Sequence, residues 1–183
     1  MALVESNMME LGTPAPIFQL PDTVSGKLLS LQDLRSEKAT VVMFICNHCP
    51  YVIHVNEALV KVARKYQEKG IQFIAISSNN VETHPQDGPE YMTRVAQQLG
   101  YPFPYLYDET QDVAKAYGAE CTPDFFVFDQ DLKCAYRGRF DDSRPGMGQA
   151  SGTDLCTALD AILAEEPVDT EQYPSMGCSI KWK

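Results

Sequence analysis

Thr40-Val41-Val42-Met43-Phe44-Ile45-Cys46-Asn47-His48-Cys49-Pro50 is the stretch that decides the fold. Thr40 to Ile45 is β-branched or apolar without interruption, and a strand with no alternation is one covered on both faces, hence central in its sheet. Beyond it, Val52, Val55, Leu59, Val62 and Tyr66 recur at spacings of three and four. That period predicts a helix with one buried face, opened by Pro50 in its first turn and closed at Gly70. Ile71 to Ser77 reads as a second buried strand. Strand, helix and strand in this order predict a right-handed parallel crossover, so the chain is α/β.

Working outward, residues 1 to 12 are expected to form a loose tail, and Ile17 to Leu20 and Leu28 to Leu31 a hairpin that ends in a short turn at Gln32 to Leu34. On the other side, Ser78 to Gly88 reads as an inserted loop leading to a helix with Met92, Val95, Ala96 and Leu99 inward. A short strand at Tyr105 to Tyr107 and a short helix at Asp112 to Tyr117 follow. An antiparallel hairpin, Phe125 to Phe128 with Cys134 to Arg137, then completes a mixed central sheet flanked by helices. A last helix, Thr153 to Glu165, buries Leu155, Leu159 and Ile162, and residues 166 to 183 form a C-terminal tail. One domain spanning 1 to 183 is the natural reading of this length.

Apolar residues make up 44% of the chain and charged residues 22%, an ordinary globular balance. A formal charge of −10 with no basic cluster excludes the phosphate-backbone footprint of a nucleic-acid partner. No apolar stretch reaches the roughly 20 residues needed to span a bilayer, and the N-terminal residues lack a basic region followed by an apolar run. The expectation is a cytoplasmic protein that does not engage membranes. Its six cysteines are then mostly reduced, and a close pair among them points to redox chemistry or metal binding.

Cys46 and Cys49 are such a pair, a Cys-x-x-Cys spacing placed where a buried strand gives way to a helix. A thiolate there meets unpaired backbone N–H groups and the positive end of the helix dipole, which lower its pKa and make it a nucleophile toward disulfides. The second cysteine, one turn away, resolves the mixed disulfide. Two competing readings are a pair of cysteines packed as small apolar groups and a metal site. The metal reading needs ligands beyond the pair, with His48, His84 or Cys121 to supply a third. No resident metal or cofactor is expected, since a redox-active disulfide carries the chemistry. His48, beside Cys49, is a candidate for tuning the Cys46 thiolate by its charge.

Together with the segments Gly12-Thr13-Pro14-Ala15-Pro16-Ile17-Phe18-Gln19-Leu20 and Thr122-Pro123-Asp124-Phe125-Phe126-Val127-Phe128-Asp129, the pair gives three motifs in order. By these the chain resembles the thioredoxin superfamily, and in particular the peroxiredoxin-like group allied to the alkyl hydroperoxide reductase and thiol-specific antioxidant proteins. The resemblance implies a thioredoxin fold in which Pro123 is a cis-proline facing the redox pair and Thr122 offers backbone groups to an extended substrate segment. Cys121 then comes close to the pair as a candidate third thiol. It also implies a protein or small-molecule disulfide as substrate and a thiol reductant such as a thioredoxin or glutathione system.

The main expectation is disulfide exchange, with Cys46 as the exposed nucleophile and Cys49 resolving. The alternative is peroxide reduction, because Cys49-Pro50 resembles the peroxidatic Cys-Pro of peroxiredoxins, with Arg137 or Arg139 as the guanidinium of that motif. Against it, Val42 and Cys46 stand where the motif has Pro and Thr or Ser. A third reading is a thioredoxin-fold module that binds a metal or partner without catalysis. Cys134, alternating with Leu132 and Tyr136 on one strand face, and Cys156 read as core residues. Cys178, in the tail, is a candidate distal resolving thiol, or part of a tail docked through Ile180 and Trp182.

Overall fold

The computed structural model describes residues 2–183. The decisive stretch forms β4 (Thr40–Phe44), preceded by β1 (Leu3–Glu5), β2 (Gln19–Pro21), β3 (Leu28–Ser30) and α1 (Leu31–Leu34) and followed by α2 (Pro50–Gln67). Next come β5 (Gln72–Ser77), a single 3₁₀ turn at Pro85–Asp87, α3 (Pro89–Leu99), β6 (Tyr105–Tyr107), α4 (Asp112–Tyr117) and β7 (Cys121–Thr122). β8 (Asp124–Phe128), β9 (Cys134–Gly138), α5 (Thr153–Leu163) and β10 (Met176–Ser179) complete the chain.

Five strands in the order β6-β5-β4-β8-β9 form the main sheet, so β4 is central as its composition requires. β4 and β5 run parallel, Thr40 opposite Gln72 and Phe44 opposite Ile76. β8 pairs with the other edge of β4 in antiparallel register, Met43 opposite Phe125 and Phe44 opposite Asp124. This is the mixed α/β sheet of a thioredoxin fold.

Successive residues of β4 and the Ile45 that follows it enter different cores. Val41, Met43 and Ile45 join Val52, Val55, Leu59, Val62 and Tyr66 of α2 and Leu155 and Leu159 of α5, whereas Val42 and Phe44 pack with Ile74, Ile76, Phe126 and Phe128 under Tyr117 and Leu31. Each such buried aliphatic or aromatic side chain stabilises the fold by about 1.5–3 kcal/mol relative to exposure, so two full layers fix the sheet and with it the end of β4 that carries the cysteines. At the C-terminal ends of α3 and α4, Gly100 and Gly118 both adopt φ 64°, a left-handed cap that glycine accepts without strain.

Several expectations are revised. Of the segment expected to be loose, Met1 lies outside the described residues and Leu3–Glu5 is paired as β1 with β10. The first hairpin strand begins at Gln19, leaving Ile17 82% exposed. The expected turn at Gln32 to Leu34 is helical because Ser30 and Asp33 form a reciprocal capping box. Leu99 is exposed, since α3 closes there under Gly100. Cys134 and Tyr136 are both buried but in different cores; a register shift opposite Val127 and Phe128 breaks the simple alternation of β9. Among the described residues no helix is long and apolar enough to cross a membrane.

Candidate active site

β4 ends at Phe44, Ile45 N–H is still held by the Ile76 carbonyl (3.0 Å), and the chain then turns through Cys46 to Cys49, the residue that caps α2. The strand, locked between β5 and β8, and the helix, locked by its apolar face, fix both ends of this short loop. A buried carboxylate fixes its middle. Asp87, fully buried, accepts hydrogen bonds from Asn47 N (2.8 Å) and His48 N (3.3 Å) through Oδ1, and it receives Asn79 Nδ2 (2.9 Å) and pairs with His48 Nδ1 (2.5 Å) through Oδ2. Tyr105 Oη donates to Asn47 Oδ1 (2.9 Å), and Asn47 Nδ2 donates to the Gln86 carbonyl (2.9 Å).

Both cysteines of the pair are buried, so Cys46 is not the exposed nucleophile that the exchange reading expects. Cys46 Sγ lies 3.5 Å from Thr122 Oγ1, and Cys49 Sγ lies 3.4 Å from the Thr122 carbonyl. The Thr122–Pro123 peptide bond is cis, and it faces the pair as the family resemblance implies. The Cys49 thiol is pulled down to about 5, first by the hydrogen bond that Cys46 offers its thiolate, with Cys178, Thr122 and the Val52 N–H of the first helical turn adding to it against burial. Cys46 moves the opposite way: as donor to Cys49, buried, and near the Asp87 carboxylate, it is held protonated well above the usual range. The pair therefore carries one negative charge, on the sulfur at the helix N-terminus.

A third sulfur completes the cluster. β7 pairs antiparallel with β10, Thr122 opposite Cys178, and Cys178 Sγ reaches Cys49 Sγ at 2.6 Å. Burial, followed by the charge and hydrogen bond of Cys49, raises the Cys178 thiol to about 12. All six cysteines are without a disulfide. Cys121 is buried on β7 with its Sγ toward the Pro123 and Ser175 carbonyls, 3.9 Å from each, and burial raises it; the sulfur against Cys49 is that of Cys178 instead. Ile180 is buried but Trp182 is 37% exposed, so the tail docks through Ile180 and its strand pairing.

His48 is turned to Asp87 and stacks on His84 at 5.2 Å. Pro50 occupies the first position of α2. Arg137 is committed to the Met9 carbonyl (2.6 Å) and Gln172 Oε1 (2.8 Å); Arg139 is committed to Asp154 (2.5 Å) and the face of Tyr173. The structure thus brings neither guanidinium to Cys49. Beside Pro123 runs a groove of about 240 Å³, with Tyr51, His54, Arg139, Asp141 and Arg144 in its walls. Among the described residues, ligand atoms of Cys46, His48 and Asp87 lie within 4.8 Å of one another; a cation there has to displace hydrogen bonds that Asp87 already accepts.

Asp87 is the residue that sequence reading missed. In Pro85-Gln86-Asp87-Gly88 an aspartate reads as a solvated turn residue, and only the folded chain shows that the turn closes over the cysteine loop.

The chain resembles several known proteins and solved structures. A thiol-disulfide oxidoreductase ResA from Bacillus thuringiensis (strain Al Hakam) is 26% identical over 129 residues, 70% of this chain and 69% of that one. A crystal structure of an uncharacterized conserved protein from Geobacillus kaustophilus superposes with a TM-score of 0.98 at 58% identity, covering 100% of this chain and 97% of that one. A putative thioredoxin from Neisseria meningitidis matches with a TM-score of 0.64 at 25% identity, covering 82% and 89%. The Redoxin family model matches residues 10–153, a span that includes β4, the cysteine loop, the cis Thr122–Pro123 bond and β9, and the chain belongs to the Redoxin family.

Proposed function

We propose that this protein is a thiol-disulfide oxidoreductase that exchanges disulfides through Cys46 and Cys49, with Cys49 as the attacking thiolate. The observation that carries the reading is the pair itself: two sulfurs where β4 gives way to α2, Cys49 at the helix N-terminus, both against the cis Thr122–Pro123 bond, with Cys46 and the helix start pulling the Cys49 thiol down to about 5. At pH 7 a thiol with a pKa of about 5 is ionised in roughly 99 molecules of 100, against about 3 for an ordinary cysteine near 8.5. The thiolate attacks a substrate R–S–S–R′, forming Cys49–S–S–R and releasing R′–S⁻. The Cys46 thiol, giving up its proton, then attacks Cys49 Sγ, forms the Cys46–Cys49 disulfide and releases R–S⁻. Two protein thiols are oxidised and one substrate disulfide becomes two thiols.

In this reading the substrate is a protein or small-molecule disulfide, and the oxidised pair is reset by a thiol reductant such as a thioredoxin or glutathione system in the cytoplasm. A second reading, the peroxiredoxin-like one, draws on the Cys49 thiolate before Pro50, a nucleophile equally able to attack peroxide. It is the weaker of the two, because the position of the motif's hydroxyl is filled by Cys46 and both candidate arginines are bonded elsewhere. Turnover of a disulfide-bonded peptide with glutathione as reductant, in parallel with hydrogen peroxide consumption, separates them. Peptide turnover that is lost in Cys49→Ser, without peroxide consumption, is expected. Peroxide consumption without peptide turnover sinks the exchange reading.

A further inference from the structure

The C-terminal strand lies across the face that a substrate has to reach. β10 is the middle strand of a three-stranded sheet, between β1 and β7, and it runs antiparallel to the two residues before Pro123. Its fit is close: a Cβ on Gly177 would stand 1.9 Å from the Thr122 carbonyl oxygen. On the far side of Cys178, Ile180 N–H donates to the Glu120 carbonyl (2.9 Å) and Asn80 N–H to the Lys181 carbonyl (2.7 Å). Lys181 N–H also donates to Asn79 Oδ1 (2.9 Å), and the Asn79 amide donates in turn to Asp87. The strand is therefore fixed on both sides of Cys178, and it holds that sulfur 2.6 Å from Cys49 Sγ, about half an ångström beyond a covalent S–S bond.

We infer that Cys178 is a third redox thiol, which takes over the disulfide from the Cys46–Cys49 pair so that the oxidised protein rests as Cys49–Cys178. The inference builds on the exchange reading above and adds a step within the protein. Once Cys49 is tied to Cys46 it carries no charge, so the hydrogen bond and repulsion that add to burial in holding Cys178 protonated are gone. Lys181 and the Tyr51 N–H remain to favour its thiolate. That thiolate attacks Cys49 Sγ, the Cys49–Cys178 bond forms, the Cys46–Cys49 bond breaks, and Cys46 leaves with the electron pair and takes up the proton that Cys178 lost. Cys178 is oxidised, Cys46 is reduced, and one disulfide is present before and after, so the step needs no further oxidant. Its consequence is a latch: the new bond ties β10 over Thr122, the backbone that an extended substrate segment needs, until a thiol reductant opens it.

The test is to oxidise the full-length protein with hydroxyethyl disulfide, quench it in acid, unfold it, alkylate it and map which cysteines are protected. Protection of Cys49 and Cys178 with Cys46 alkylated is expected in the wild type. In Cys178→Ser, protection should pass to Cys46 and Cys49. Gly177→Ala, which lifts the strand and Cys178 with it while keeping all six cysteines, should lose Cys178 protection and keep the Cys46–Cys49 disulfide. Protection of Cys46 and Cys49 alone in the wild type, pairing of Cys121 in place of Cys178, or undiminished Cys178 protection in Gly177→Ala overturns the inference but leaves disulfide exchange standing. A wild type in which no cysteine becomes protected overturns both.

Discussion

Replacing Cys46 by alanine removes the donor that does most to hold the Cys49 thiolate. A hydrogen bond to a charged acceptor contributes about 1.5–3 kcal/mol, and at about 1.4 kcal/mol per pKa unit its loss raises the Cys49 thiol by roughly one to two units. The titration midpoint should therefore move from about 5 to between about 6 and 7, with Cys46→Ser, whose hydroxyl still donates, falling between wild type and Cys46→Ala. Ultraviolet absorbance of the thiolate reads this directly, because burial raises the Cys121, Cys134, Cys156 and Cys178 thiols and leaves the acid range clear. Activity at pH 7 is a poor substitute, since Cys49 stays about half or more ionised after a shift of this size and the variant also lacks the resolving thiol. An unchanged or lowered midpoint in Cys46→Ala, or an acid titration that survives in Cys49→Ser, refutes the reasoning.

Asp87→Ala leaves the Asn47, His48 and Asn79 donors without their acceptor and should cost about 2–5 kcal/mol of stability in denaturant unfolding, while lowering the Cys46 thiol by removing a nearby negative charge. Asp124 is fully buried with one oxygen unpartnered, and desolvation raises it to about 8. Between about pH 4 and 8 the folded state keeps a proton on this group that the unfolded chain has released, so its own contribution to stability falls as pH rises, by up to about 1.4 kcal/mol per unit. Between about pH 5 and 8 the Cys49 thiolate contributes an opposite slope, so the Asp124 component is read as a difference: urea midpoints of Asp124→Asn should rise with pH relative to wild type, and equal slopes would count against a buried neutral Asp124. Cys121→Ala should keep peptide-disulfide turnover near wild type, and a collapse of turnover in a folded Cys121→Ala protein would return that thiol to the mechanism.

The central strand and its helix were legible because their signals are local: an unbroken apolar run for β4, and a three-and-four spacing for α2 whose every predicted face residue is buried. The placement of Cys46 and Cys49 followed from that junction alone. What the sequence could not show depends on contacts between distant segments. β1 and β10 are short strands of weak composition, and neither reads as a strand until each has the other and β7 to pair with. The same pairing carries Cys178 from a tail to the side of Cys49, across 129 residues of chain. Asp87 likewise acts through hydrogen bonds to residues 39 and 40 positions earlier, a distance over which no periodicity speaks.

Which sulfur first bonds to substrate is tested most directly by trapping. In a protein carrying both Cys46→Ser and Cys178→Ser, neither neighbour can resolve a mixed disulfide at Cys49, so incubation with a disulfide-bonded peptide and mass-spectrometric mapping should find the peptide joined to Cys49. A peptide absent from Cys49 there, and joined instead to Cys46 in Cys49→Ser, would contradict the assignment of Cys49 as the attacking thiolate.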